Sequence, residues 1–235
     1  MSFIEELKNN RDKQIMAISI VFFVISFPAY FYLSAQGADD YSVSTAVATY
    51  EIDGQEEYYQ LGSGDEFIAD GETLSIDNLH TDSIDDADDM NIIGVRLTMT
   101  YTEAEDTSGP SCAVGGGSPA DDTITGTTIY GDYNGTGSGS NNGDTGSHTV
   151  TVYWISNVSL LSQETVTMSK SDIIAGIDAG GLGLGAHMAE ISVDAEAGGA
   201  LPGCQRSDAG EDVAYIVEII VFDYDIKPYV DLEEL

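Results

Sequence analysis

Positive charge is scarce in this chain. Lys and Arg number 7 in 235 residues, against 41 Asp and Glu, so the net charge is −34. Such a surface repels phosphate backbones and anionic lipid headgroups, which excludes nucleic acid as a partner. The repulsion between its own charges is screened by salt, because the Debye length falls to about 3 Å at 1 M. The charge balance is therefore typical of a protein adapted to high ionic strength.

Cysteine is nearly absent as well. Cys112 and Cys204 are the only two, too few and too far apart in sequence for a thiolate metal site. Both cysteines follow the long apolar run described below, which predicts that the domain is exported. A single cysteine pair in an exported domain predicts a disulfide bond. On the chain-entropy model, closing so long a loop contributes at most about 4–5 kcal/mol to stability.

Catalytic motifs are missing too. The chain has no H-E-x-x-H and no G-x-S-x-G, and the glycines of 181–185 are interpreted as a flexible turn. The spacing of His80, His148 and His187 does not predict a metal site, and His187 is expected in the core because it alternates with apolar residues. We therefore predict a non-enzymatic protein that binds no cofactor. With so many carboxylates, a glycoside-hydrolysing pair stays open as an alternative.

The longest apolar run is the stretch Ile15–Leu33, nineteen residues without a charge. As an α-helix it would be about 28 Å long, close to the thickness of a bilayer core. We predict a transmembrane helix over residues 15–35, which makes the lipid bilayer a partner.

The flanks of this run predict its orientation. Three of the seven basic residues, Lys8, Arg11 and Lys13, precede it, and positive charge favours the cytoplasmic side. The prediction is a single-pass cell-membrane protein with a cytoplasmic leader over 1–14 and an extracellular domain over 36–235. Two alternatives are cleavage of a signal peptide after Gly37 and a buried soluble helix.

The short charged leader, the single apolar helix and the strand-rich remainder together resemble archaeal type IV pilins and archaellum-associated surface proteins. The acidic composition is likewise similar to that of outer proteins of halophilic or marine archaea. The resemblance implies a pilin-like filament subunit, processed before Gln14, whose helix packs in the filament core. Two features depart from the pilin pattern. Pilin leaders typically end in a small residue, often glycine, whereas Asp12-Lys13 precedes Gln14 here, and the fifth residue after processing would be Ile18 and not the glutamate of many bacterial pilins.

After the apolar run, side chains alternate with the two-residue period of β-strands. The predicted strands are Ser42–Ile52, Glu57–Leu61, Glu72–Ile76, Ile92–Thr102, Thr123–Tyr133, His148–Ile155, Gln163–Met168, Ala186–Asp194 and Val213–Asp225. Asp53-Gly54 predicts a hairpin turn, and Val213–Asp225 is apolar on both faces, as a central strand would be. The fold class is mainly β, an antiparallel β-sandwich of Ig-like or jelly-roll-like type.

Two segments interrupt the alternation. Residues 103–147 are rich in Gly, Ser and Asn, and we interpret them as a long surface excursion containing one strand. A short helix is predicted after Ser171 as N-cap, ending near Gly180. Gln163–Met168 is predicted as the hairpin partner of His148–Ile155.

Candidate site residues lie in loops. Between His80 and the strand at Ile92 stand five aspartates, which in so acidic a chain we interpret first as a solvated run of charge. The alternative is a calcium site, since calcium prefers several carboxylates. These ligands are Asp82, Asp85, Asp86, Asp88 and Asp89. The sequons at Asn134 and Asn157 predict N-glycosylation.

These features together predict a membrane-anchored, non-enzymatic cell-surface structural or interaction module. Its expected partners are other envelope proteins or further copies of the chain. The pilin-like subunit is the first alternative, and an exported calcium- or ligand-binding domain or hydrolase is the second.

Overall fold

The computed structural model describes residues 23, 26, 45–102, 105–112, 118–141, 145–200 and 202–229. The predicted leader and nearly all of the predicted span 15–35 lie outside these residues; Phe23 and Ser26 are helical. Within the described part of the chain, no helix has both the length and the apolar character needed to cross a bilayer.

Between residues 45 and 229, the described residues form eleven strands and one α-helix. In chain order they are β1 Val47–Ala69, β2 Thr73–His80, β3 Ile92–Thr102, β4 Asp106–Ser108, β5 Asp122–Tyr130, β6 Tyr133–Asn141, β7 Thr145–Tyr153, β8 Thr165–Ser169, α1 Lys170–Ile177, β9 Ala186–Asp194, β10 Gln205–Ser207 and β11 Gly210–Pro228. The prediction of a mainly β chain is confirmed, and β3 and β9 have the predicted bounds.

Two antiparallel sheets face each other across one core. The first has the strand order β7-β3-β11-β1-β8, the second β2-β9-β5-β6, and β4 pairs with β10 in a separate ribbon. A Cβ added at Gly126 of β5 would lie 2.3 Å from Met99 Cε and 2.9 Å from Leu97 Cδ2 of β3. The facing sides of the two sheets are therefore in direct contact, as in a sandwich.

Strand β11 occupies the centre of the five-stranded sheet. Val217 and Ile219 are fully buried, and Ile220 and Phe222 are 1% and 2% exposed. A register shift between Ile220 and Val221 accompanies this burial of consecutive residues. The predicted central position of β11 is confirmed, because it lies between β3 and β1. Its second face is covered only near Ile220 and Phe222, since Ile216 is 41% exposed.

The predicted hairpin at Asp53-Gly54 is wrong. Strand β1 continues through these residues and pairs with β11 from Tyr50 opposite Pro228 to Ala69 opposite Gly210. The glycine is required for packing and not for a turn, because a Cβ at Gly54 would lie 2.5 Å from the Phe222 ring. Long-range ladder pairing has overridden a local turn signal.

Residues 103–147 also differ from the predicted surface excursion, because their described part includes β4, β5, β6 and the start of β7. The glycines of β6 alternate with polar residues and face the side chains of β7. A Cβ at Gly135 would lie 2.2 Å from Val152 Cγ2, and one at Gly139 would lie 2.4 Å from His148 Nδ1. Gly is thus the residue that lets β6 approach β7 closely.

The partner predicted for β7 is wrong as well. Strand β7 pairs with β3, whereas β8 pairs with the first residues of β1. The predicted helix exists, but its N-cap is Ser169, whose Oγ accepts the Asp172 backbone N–H, and the helix ends at Ile177. Asn91 holds this end in place, since its side chain donates to Ile177 O and accepts from Ala179 N–H.

Candidate functional site

Acidic side chains concentrate at both ends of the sandwich. We call residues 81–89 the acidic loop, which leads into β3 at the end where Ile92 pairs with Val221. The opposite end of the same ladder pairs Thr102 with Asp212. At about 3.3 Å per residue, the two ends of β3 lie roughly 30 Å apart.

The acidic loop consists of two 3-10 turns, Thr81–Ser83 and Ala87–Asp89. All five of its predicted calcium ligands are exposed. Thr81 anchors the loop, because its backbone N–H donates to Gly185 O and its Oγ1 accepts the Gly185 N–H at 2.8 Å. A cavity of about 420 Å³ adjoins the loop. The carboxylates are open to solvent, and calcium binding here stays a prediction.

A second acidic group lies at the opposite end and is largely buried. We call Asp122, Asp208 and Glu211 the buried acidic cluster. One carboxylate oxygen from each of the three lies within 4.8 Å of the others. Asp122 and Glu211 are fully buried, and Asp208 is partly exposed. Among the described residues, it is the one group of three or more His, Cys, Asp or Glu side chains close enough to share a metal ion.

Three separate chain segments bring the cluster together. Asp122 is the first residue of β5, Asp208 lies in the turn between β10 and β11, and Glu211 is the second residue of β11. The turn depends on Gly210, whose φ is +130° and whose Cβ position lies 2.1 Å from Ile68 O. A residue with a side chain would be strained there.

Backbone donors orient two of the three carboxylates. Asp122 Oδ1 accepts the Glu196 N–H at 2.7 Å, and Asp208 Oδ1 accepts the Gly210 N–H at 3.0 Å. The second oxygen of each, Oδ2, is buried and has no hydrogen-bond partner in the described part of the chain. A buried polar atom without a partner is costly, so these two oxygens are available for a further ligand.

Covalent and ionic contacts close the sandwich at this end. Cys112 and Cys204 form a disulfide bond with a Cα–Cα distance of 4.9 Å, which confirms the predicted pair. The bond lies beside the β4–β10 ribbon, since Cys204 directly precedes β10. Arg206 of β10 forms an ion pair with Glu105, both side chains being largely buried. Glu105 Oε1 also accepts the Gly198 N–H at 2.6 Å.

Tyr101 and His148 connect the cluster with the core. Burial raises the pKa of Tyr101, and the nearby Glu211 carboxylate raises it further. The Tyr101 hydroxyl lies 3.3 Å from His148 Nδ1, and burial lowers the pKa of His148. Both side chains are therefore held in their neutral forms near neutral pH.

At the acidic-loop end, an aromatic group encloses the third histidine. His187 is 2% exposed, stacks on Tyr130 at 4.7 Å between ring centroids, and has Nε2 2.8 Å from Gly183 O. Burial lowers its pKa, and its expected place in the core is confirmed. The 181–185 segment is packed and not a free turn, because Gly183 N–H donates to the Tyr130 hydroxyl at 2.7 Å.

Both predicted glycosylation sites are within the described residues. Asn134 is exposed on β6. Asn157 is partly exposed, and its Oδ1 accepts the Ser159 hydroxyl at 2.7 Å. Glycosylation at either residue stays a prediction.

Sequence reasoning missed the buried acidic cluster. Asp122 is far from the other two residues in the chain, and its position follows from the pairing of β5 with β6 and β9. The only local signal was the Asp208 and Glu211 pair just before the predicted strand at Val213, which 41 acidic residues made impossible to rank. No protein-family model matches the chain, and no curated protein is significantly similar to it in sequence.

Proposed function

We propose that this chain is a membrane-anchored, non-enzymatic structural or interaction module of a cell envelope, with its sandwich on the extracellular side. The observation that carries the proposal is the Cys112–Cys204 disulfide. Disulfides form and persist in oxidising compartments and are rare in the cytosol. The acidic surface supports the same location, because it suits a domain in contact with a saline exterior.

The membrane anchor rests on the sequence. The uncharged stretch Ile15–Leu33 has the length of a spanning helix, and the basic residues before it favour a cytoplasmic N-terminus. With this orientation both cysteines are outside, where a disulfide is stable. The orientation inferred from the N-terminal sequence and the compartment inferred from the disulfide thus agree, although they rest on different residues.

The strand pairs favour a jelly roll over an Ig-like sandwich. Four strand pairs lie one inside the other along the chain, so that the first strand pairs with the last and the two middle strands pair with each other. These pairs are β1–β11, β2–β9, β3–β7 and β5–β6. A long antiparallel hairpin rolled into two sheets produces this nesting, which is the plan of the eight-stranded jelly roll. Strand β8 is an additional strand at the edge of β1.

The contacts of two histidines support a structural or interaction module over an enzyme. His187 and His148 are packed against aromatic side chains and held neutral by burial, and His187 is engaged with the backbone at Gly183. The outer strand faces carry hydroxyl pairs such as Thr98 with Thr149 and Thr127 with Thr136. Such pairs stabilise neighbouring strands and leave a polar surface for contact with other envelope proteins.

The test is mass spectrometry of the N-terminal peptide from native cells separated into membrane, filament and medium fractions. An intact N-terminus in the membrane fraction is expected. A start at Ala38 in the medium would replace the anchor by a secreted domain. A start at Gln14 in filaments would replace it by the pilin-like subunit.

A second measurement addresses the compartment. In the protein isolated from cells under acid quench, Cys112 and Cys204 should resist alkylation until a reductant is added. Alkylation of both without reductant would contradict the extracellular assignment.

A further inference from the structure

We propose that Asp122, Asp208 and Glu211 bind one Ca²⁺ ion that joins the two sheets at the disulfide end of the sandwich. This inference is independent of the envelope function and concerns a site that the predicted acidic loop does not include.

The first step of the argument is the convergence of charge. One oxygen from each of the three carboxylates lies within 4.8 Å of the others, in a place where Asp122 and Glu211 are fully buried. Like charges this close repel strongly when water is excluded. A cation at the centre of the cluster would remove the repulsion.

The second step is the orientation of the oxygens. Asp122 is 0% exposed, and while its Oδ1 is held by the Glu196 N–H, its Oδ2 has no hydrogen-bond partner among the described residues. Asp208 repeats the arrangement, with Oδ1 held by the Gly210 N–H and Oδ2 without a partner in the described part of the chain. In both carboxylates a backbone N–H holds Oδ1 in place and leaves Oδ2 free to bind an ion. The two side chains are thus pre-organised as ligands.

The third step is the choice of ion. Ca²⁺ binds carboxylate oxygens at about 2.3–2.6 Å, so two oxygens on one ion lie at most about 5 Å apart, which fits the 4.8 Å limit. Mg²⁺ demands near-ideal octahedral geometry and retains several waters, and Zn²⁺ prefers nitrogen and sulfur.

The fourth step is the structural consequence. Asp122 belongs to the four-stranded sheet and Glu211 to the five-stranded sheet. An ion between them connects the two layers of the sandwich. Because the cluster exists only in the folded chain, calcium should raise the stability of the folded state.

The experiment measures thermal unfolding of the full-length chain with its disulfide intact, in a mild detergent. KCl is held at about 1 M, so that added CaCl₂ hardly changes the screening of surface charge. Calcium at about a hundredfold its Kd should raise Tm by about 5–10 °C relative to EGTA. Calorimetric titration should give one site per chain, and MgCl₂ at the same concentration should raise Tm much less.

Asp122→Asn and Asp208→Asn keep side-chain shape and remove one ligand charge each. Both variants should lose most of the calcium-dependent shift in Tm, while their Tm in EGTA stays equal to that of the wild type or rises as repulsion is relieved. The matched control is Asp132→Asn, the same exchange at the exposed far end of the β5–β6 hairpin, which should retain the full shift. Asp86→Asn tests the acidic loop in the same way.

Three results would overturn the proposal. The first is a wild-type Tm that does not respond to calcium. The second is a shift that Asp122→Asn retains and Asp86→Asn removes, which would assign the ion to the acidic loop. The third is a Tm that Asp122→Asn lowers equally in calcium and in EGTA, as expected if the Asp122 carboxylate contributes to the fold without binding an ion.

Discussion

The acidic loop and the buried acidic cluster contain the same kind of side chain in opposite environments. The five loop aspartates are adjacent in sequence and point into water, whereas the three cluster residues are distant in sequence and converge in the interior. Hydrated charges need no partner, while buried ones do. The density of acidic residues along a chain is therefore a poor guide to a metal site, and their convergence in space is a better one.

The two ends of the sandwich also differ in what holds them. The cluster end is closed by the Cys112–Cys204 disulfide and by the Arg206–Glu105 ion pair. The loop end is held by hydrogen bonds, such as Thr81 with Gly185 and Gly183 with Tyr130. One end thus has a covalent constraint, and the other depends on hydrogen bonds and packing.

The largest expected effect is the loss of that covalent constraint. Replacing Cys112 and Cys204 together by serine should lower the free energy of unfolding by about 2–5 kcal/mol, because the unfolded chain regains the entropy of an open loop. Denaturant unfolding measures the loss. Wild-type protein in reductant is the control and should lose a similar amount.

The same double variant sharpens the comparison between the ends. Amide hydrogen exchange should accelerate most in β4 and β10, and least in the 3-10 turns of the acidic loop. Equal acceleration at both ends would mean that the disulfide does not act locally, and the distinction between the ends would fail.

The second largest effect is expected in strand β6, which runs between the two acidic regions. Gly135→Ala should lower the free energy of unfolding by about 1–3 kcal/mol, because the new Cβ would lie 2.2 Å from Val152 Cγ2. Denaturant unfolding is again the measurement. The control, Ser140→Ala on the exposed face of the same strand, should change stability by less than about 0.5 kcal/mol. An equal effect of both variants would show that β6 is not tightly packed.

These elements also show what the sequence can predict. Strands β3 and β9 have their predicted bounds because one face of each is buried and the other polar or partly exposed, so that the pattern of side chains follows the strand directly. Strand β11 was predicted as central because both of its faces are apolar. Burial patterns along a single strand are thus accessible without a structure.

Other features depend on which strands become neighbours. The sequence predicts a turn at Gly54 and a surface excursion for the glycines of β6, since composition does not reveal that Phe222 or Val152 will occupy the space beside them. The buried acidic cluster escaped prediction for the same reason. Its members meet because β5 and β11 begin at the same end of the sandwich, which is a property of topology.

Two histidines at the acidic-loop end also differ in burial, and the expected effect on stability is smaller. His187 is buried, whereas His80 is exposed. Burial lowers the folded-state pKa of His187 below its usual value near 6.5. The unfolded chain therefore takes up this proton first as pH falls. His187 contributes stability that is fully present above about pH 6.5 and is lost progressively as pH falls below it.

The check is the pH dependence of the free energy of unfolding between pH 7 and pH 5. His187→Gln should have a flatter slope in this range than the wild type, although its stability at pH 7 will be lower. His80→Gln, the exposed control, should keep most of the wild-type slope, because burial is the largest cause of the lowered His187 pKa and the charge of His80 is a minor one. If His80→Gln flattened the slope and His187→Gln did not, the assignment of the buried proton site would be wrong.

The smallest effect concerns salt, which should distinguish the two acidic regions directly. In EGTA, the wild type should gain stability between about 0.1 M and 1 M KCl as the Debye length falls from about 10 Å to 3 Å. Combining Asp85→Asn, Asp86→Asn and Asp88→Asn should reduce that gain by about 0.5 kcal/mol, because exposed like charges are screened by salt. Asn tolerates the left-handed backbone of Asp86, at φ 59°, so the exchange introduces little strain there.

Asp122→Asn should leave the salt-dependent gain unchanged, because repulsion between buried carboxylates is screened far less by ions in solution. Urea unfolding at the two salt concentrations measures both variants. A reduction of the gain in Asp122→Asn as large as in the loop variant would place the cluster in contact with solvent. The contrast between exposed and buried acidic groups would then be lost, and with it the reason to prefer the buried acidic cluster over the acidic loop as a calcium site.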